Sequence, residues 1–121
     1  MATIELTLEN FQQTIDDNHT VFVDFWAEWC GPCRQFGPVF EAAAEAHSDI
    51  VFGKVDADAQ QELAGHFNIR SIPTLMAIRD SVVLFSQPGA LPAHALEDLI
   101  GQITEIDMDE VRSQIAERQA G

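Results

Sequence analysis

The sequence predicts an α/β domain: a central mixed β-sheet with helices on both faces, followed by one extra C-terminal helix. Three observations carry this reading. The runs 20–26 and 50–55 are nearly continuous apolar stretches, the mark of strands covered on both sides. A helical pattern separates them, which gives a strand–helix–strand unit. Two more short apolar runs, 74–78 and 82–85, are joined by the tight turn Arg79-Asp80-Ser81 and read as a hairpin. The 121 residues fit one domain with enough core to fold alone.

Taken in order, residues 3–6 alternate as a short strand does. Thr7 is placed to cap a helix carrying Leu8, Phe11 and Ile15 at helical spacing. Asp16-Asp17-Asn18-His19 is turn chemistry and leads into the central strand. A helix follows from about Cys33 to Ala46, with Pro38 inside it, where proline removes a backbone donor and crowds the preceding turn. After the strand Ile50–Val55, residues 59–67 read as a helix with Leu63 and Phe67 on one face. Beyond the hairpin, a helix starting after Pro92 turns Leu96, Leu99, Ile100 and Ile103 inward.

Residues 107–119 read as one more helix. Asp107 and Glu110 form a D-x-x-E start of the capping-box kind, and Met108, Val111 and Ile115 fall on one face. Such a stripe suits either a tail that binds a partner or forms a dimer, or a helix that docks on its own domain or frays.

Composition excludes several classes. No run of eighteen or more apolar residues is present, so no membrane span is expected. The start Met1-Ala2-Thr3-Ile4-Glu5-Leu6 lacks the basic-then-apolar order of a secretory leader, and the expectation is a cytoplasmic protein. Formal charge is −14, and Lys54 is the single lysine. Phosphate backbones and anionic lipid would repel such a chain, so neither nucleic acid nor membrane is an expected partner. The charge serves either general solubility or the selection of partners with basic rims.

The chemistry concentrates in Trp29-Cys30-Gly31-Pro32-Cys33, which holds the only two cysteines. Two cysteines are too few for a secreted disulfide scaffold, and a C-x-x-C pair between strand and helix suits reversible thiol–disulfide exchange. The thiolate is the nucleophile, and a free cysteine of pKa about 8.5 is mostly protonated at neutral pH. Unpaired N–H groups and the helix dipole at a helix N-terminus favour the charged sulfur. Pro32 suits a first helical turn, and Gly31 permits the tight loop. Cys30 is therefore expected as the exposed attacker and Cys33 as the buried partner that later displaces it.

Resolution of a mixed disulfide requires Cys33 to lose a proton. Asp24 lies inside Val21-Phe22-Val23-Asp24-Phe25-Trp26, where an unpaired carboxylate is costly. Burial raises its pKa and makes it a candidate proton acceptor near neutrality, with Lys54 in the other buried strand as a possible partner. The plainer alternative for Asp24 is a bulge or edge position facing water.

The run Val23 to Arg34 resembles the active-site segment of bacterial thioredoxins. Pro38 stands at the family's helix proline, Lys54-Val55-Asp56 resembles its third-strand motif, Arg70-Ser71-Ile72-Pro73-Thr74 its cis-proline loop, and Gly89-Ala90 its last active-site loop. The likeness covers residues 3–106 and implies a thioredoxin domain over 1–106 with a helical extension over 107–121. It implies that Cys30 is the nucleophile, Cys33 the resolving thiol, Asp24 and Lys54 a buried proton-transfer pair, and Ile72–Pro73 a cis bond. Trp29, Gly31, Pro32, Ile72, Pro73, Thr74, Gly89 and Ala90 would form the substrate-contact region. The Gly-Pro pair between the cysteines resembles the reducing members of the superfamily. The implied function is reduction of protein disulfides without a bound cofactor. Electrons would come from a thioredoxin reductase that itself uses NADPH.

Three departures stand out. The hairpin turn lacks the usual glycine, Pro88 replaces a branched aliphatic residue in a loop that touches partners, and the tail after Ile106 exceeds the compact domain. Two rival readings remain. One is a metal site using the cysteines with His19, His47, His66 or His94, which the scattered spacing disfavours. The other is a non-catalytic interaction module on the same fold.

Overall fold

A computed structural model describes residues 2–120; Met1 and Gly121, the outer ends of the two expected segments, lie outside the described residues. The elements are β1 (Thr3–Glu5), α1 (Phe11–Asp17), β2 (Thr20–Trp26), α2 (Gly31–Ala46), β3 (Val51–Asp56), α3 (Gln61–His66), β4 (Thr74–Arg79), β5 (Val82–Pro88), α4 (Ala93–Glu105) and α5 (Met108–Ala120). They build one five-stranded sheet in the order β1-β3-β2-β4-β5. β1, β3 and β2 run parallel, and β4 and β5 are antiparallel additions.

The central strand β2 is buried along nearly its whole length, and its alternating side chains feed both cores. Phe22 joins Phe36, Phe40, Phe52, Leu96 and Ile100 on the α2/α4 face. Val21, Val23 and Phe25 join Phe11, Ile15, Val55, Leu63 and Met76 on the α1/α3 face. Helices thus cover both faces, as the uninterrupted apolar pattern requires. At the β1–β3 contact Leu6 occupies the space above Gly53, where a Cβ would stand only 2.2 Å from Leu6 Cδ1.

Several boundaries differ from expectation, each for a local reason. α1 starts at Phe11, not after Thr7. The Asn10 side-chain oxygen accepts from Thr7 N–H at 2.7 Å and its amide donates to the Glu5 carbonyl, closing a turn first. Leu8 is left half exposed by this. α3 is shorter than 59–67, because Asp56 Oδ1 accepts from the N–H groups of Asp58 and Ala59 and holds that stretch as a turn. β5 runs on to Pro88, paired with Thr74.

The glycine-free hairpin places Asp80 at φ 50° and Ser81 at φ 65°, both left-handed, as a tight antiparallel turn demands. Side chains around it offset the cost. Asp80 N–H donates to the His19 carbonyl, and Ser81 Oγ lies 3.2 Å from Asp16 Oδ1. The Asp80 carboxylate receives both His19 and Arg112.

α5 docks on its own domain. Asp107 Oδ1 accepts from Asp109 and Glu110 N–H, Met108 is buried, and Val111 and Ile115 are half-buried beside Val82–Leu84 of β5. Arg79 Nη1 fastens the α4–α5 junction, donating to the carbonyls of Ile103, Thr104 and Ile106 at 3.1, 3.2 and 2.8 Å.

Candidate active site

The β2–α2 connection carries the cysteines because the strand ends at Trp26 and the helix starts at Gly31, two residues earlier than the sequence pattern suggested. Cys30 is the N-cap of α2, in extended backbone, and its sulfur accepts the Cys33 N–H at 3.2 Å. Pro32 falls in the first turn, where its missing N–H costs nothing. Cys30 and Cys33 are joined as a disulfide, with Cα atoms 5.2 Å apart. The Cys30 sulfur therefore occupies the helix position that best stabilises a negative charge once the bond is reduced.

Exposure does not separate the two sulfurs. Cys30 and Cys33 are each only 4% exposed, so the expectation of an exposed Cys30 is corrected for this oxidised state. The reason is tertiary: both pack with Ala27 in a small cluster closed by Trp26 and Ile72. Cys30 Sγ lies 3.7 Å from the Ile72 carbonyl oxygen.

That carbonyl belongs to the loop before β4. The Ile72–Pro73 bond is cis, Ile72 is half-buried and Pro73 is buried. Thr74 is also buried, and its hydroxyl donates back to the Ser71 carbonyl, so it shapes the loop and does not face partners as expected. Gly89 N–H donates to the Pro73 carbonyl at 2.8 Å, which brings the last loop against the cis-proline loop. Gly89 sits at φ 120°, where glycine alone is comfortable. Gly89, Ala90, Gly31 and Pro32 are all exposed.

Trp29 is the largest exposed apolar group, at 67%. Its indole N–H donates to Asp58 Oδ2 at 2.8 Å. Asp58 escaped the sequence reading, because nothing in its spacing ties it to a tryptophan 29 residues earlier. The acidic turn after β3 was the one available signal.

Asp24 is fully buried, and neither carboxyl oxygen has a hydrogen-bond partner. Burial pushes its pKa up from 3.8 to about 7, against a smaller downward pull from Lys54. Lys54 is its register partner on β3, yet no salt bridge joins them among the described residues. The expected buried pair is therefore a buried acid beside a half-buried, unattached lysine, whose ammonium lies 5.0 Å from the centre of the Trp26 ring.

Among the described residues no group of three or more histidines, cysteines and carboxylates is placed to hold a metal. No helix there is long and apolar enough to cross a membrane.

A helix-capping sulfur that can bond its neighbour one turn on defines a disulfide oxidoreductase. The thioredoxin family model matches residues 2–102. A protein of Streptomyces coelicolor named "Putative thioredoxin 2" is 65% identical over 98% of this chain and 89% of its own length. Bacillus subtilis thioredoxin is 36% identical over 84% of this chain and 98% of its own. Among solved structures, a thioredoxin from Halobacterium salinarum superposes with a TM-score of 0.79 at 33% identity, covering 88% of this chain and 95% of its own. A Plasmodium falciparum thioredoxin gives 0.76 at 35% identity, covering 83% and 97%. The chain belongs to the thioredoxin family, and Cys30–Cys33 is its redox-active pair. Members of this family need no cofactor and act with disulfide-bearing targets and a reductase.

Proposed function

We propose that the chain works as a cytoplasmic electron carrier, reduced by an NADPH-dependent thioredoxin reductase and oxidised by protein disulfides. The observation that carries the mechanism is the sulfur of Cys30 at the N-cap of α2, bonded to Cys33 in a domain that also buries a carboxyl without a partner.

In the reduced protein the Cys30 thiolate attacks one sulfur of a target disulfide. A Cys30–target bond forms, and the other target sulfur leaves as a thiolate. Cys33 then gives its proton to the Asp24 carboxylate and attacks Cys30 as a thiolate. The Cys30–target bond breaks, the Cys30–Cys33 bond forms, and the target departs with both sulfurs reduced. Asp24 suits this task because its pKa of about 7 lets it take or release a proton at working pH.

Trp29, Gly31, Pro32, Ile72, Gly89 and Ala90 form the contact patch, with Pro73 and Thr74 shaping it from below. Residues 1–106 are the catalytic domain, and 107–121 are an extension outside the chemistry.

Trapping with Cys33→Ser tests the proposal. The variant accumulates a mixed disulfide through Cys30 and loses turnover. Turnover at the wild-type rate with nothing trapped would refute it.

A further inference from the structure

An ion pair between Asp24 and Lys54 is invited by the fold and is not made. The two are register partners on adjacent parallel strands, so their side chains leave the same face of the sheet. Both Asp24 oxygens are nevertheless unpartnered. The Lys54 ammonium lies over the indole of Trp26, 5.0 Å from its centre. Trp26 follows Asp24 by two residues on β2 and shares its face. The ammonium also lies beside α2, since a Cβ at Gly37 would meet Lys54 Nζ at an ordinary contact distance of 3.9 Å. Trp26 and Lys54 also line one cavity of about 360 Å³ with Thr3, Glu5 and Asp56.

An aromatic face attracts a cation through its quadrupole and leaves the cation's charge uncancelled. A carboxylate in direct contact with the ammonium would form an ion pair and stay ionised. The choice between these two seats decides whether Asp24 can carry a proton.

We propose that the Trp26 indole is a positioning group for the resolving step, holding the Lys54 ammonium aside so that the Asp24 carboxyl stays unpaired and takes the Cys33 proton. This rests on the role given to Asp24 above. The charged and titratable surroundings are few. β1 places Glu5 opposite Lys54, β3 supplies Lys54 and, two residues on, Asp56, and β4 places Leu75 opposite Asp24. α2 carries Cys33 and Glu41. The Glu41 carboxylate accepts from the Thr3 hydroxyl and main chain, and it also feels Lys54. Glu41, Glu5 and Asp56 are thus the alternative holders of the ammonium, and Glu41→Gln, Glu5→Gln and Asp56→Asn separate them from the indole.

Carbon-13 titration of the Asp24 carboxyl in the oxidised protein is the test. Trp26→Leu frees Lys54 to move onto Asp24 and lowers the titration midpoint by about one pH unit or more. Trp26→Phe keeps an aromatic face and stays near wild type, as do Glu41→Gln, Glu5→Gln and Asp56→Asn. Adding Lys54→Met to Trp26→Leu brings the midpoint back up. A midpoint that Trp26→Leu leaves unmoved, or a fall that survives removal of Lys54, overturns the proposal. Wild-type protein supplies an independent check should Trp26→Leu not fold. Ring current must shift the Lys54 ε-methylene protons upfield, and ordinary shifts there would overturn it equally. Release of the mixed disulfide from Asp24→Asn at the wild-type rate would instead sink the role of Asp24, whatever the titrations show.

Discussion

Asp24 and Lys54 face each other across neighbouring parallel strands, yet no salt bridge joins them and the carboxyl is left unpartnered. The pairing of a buried acid with a nearby but detached cation sets the protein's response to pH.

The folded Asp24 pKa is raised to about 7, while an unfolded aspartate titrates near 3.8. Between those values the folded chain keeps a proton that the unfolded chain has lost. Stability therefore falls as pH climbs through this window and levels off above it. Asp24→Asn removes the slope. Denaturant melts should show the variant more stable than wild type by about 2–4 kcal/mol at pH 8, with the difference shrinking toward pH 4.

Gly53→Ala places a methyl group where Leu6 already packs, 2.2 Å from Cδ1 and 2.6 Å from Cγ. Leu6 is fully buried and cannot swing away. The substitution should cost about 1–3 kcal/mol in a urea melt. Shortening Leu6 to Val in the same chain should recover part of that loss.

Arg79 holds the α4–α5 junction through three carbonyls, and Arg112 adds an exposed link to Asp80. Arg79→Met should speed amide exchange across 108–118 and cost about 1–3 kcal/mol. Arg112→Ala should loosen α5 locally and leave the global melt in place. Disulfide reduction should be retained in both.

Trp29 is exposed and anchored by one hydrogen bond to Asp58. Trp29→Ala should slow reduction of protein disulfides by about tenfold, the loss of a typical aromatic contact, and leave small-molecule disulfides nearly unaffected. Thermal stability should change little.

The mixed sheet and the buried acid were legible because Val21–Trp26 and Val51–Val55 repeat no polar face, whereas the strand order came only from the structure. A strand of that pattern belongs between others, which favoured burial of its carboxyl over the water-facing alternative, and Asp24 is fully buried. Helix starts were less legible. Thr7 and Asn10 are both capping residues, and only the contact of Asn10 with Glu5 decides between them. Features that join distant parts of the chain left little local trace. The closing of Cys30 under Ile72, the Trp29–Asp58 bond and the Arg79 clamp each link residues 24 to 42 positions apart. The stripe Met108, Val111, Ile115 announced a buried face on α5 but not what it would cover. The structure places it beside β5.

The central claim is that the helix start makes the Cys30 sulfur a thiolate near neutral pH. The direct measurement is the rate of iodoacetamide alkylation of Cys30 against pH, made on reduced protein with Cys33→Ser as a check on site. The account predicts a midpoint clearly below that of a free cysteine, about 8.5, with modification confined to Cys30. A midpoint at or above that value, or alkylation of Cys33 in preference to Cys30, would contradict it.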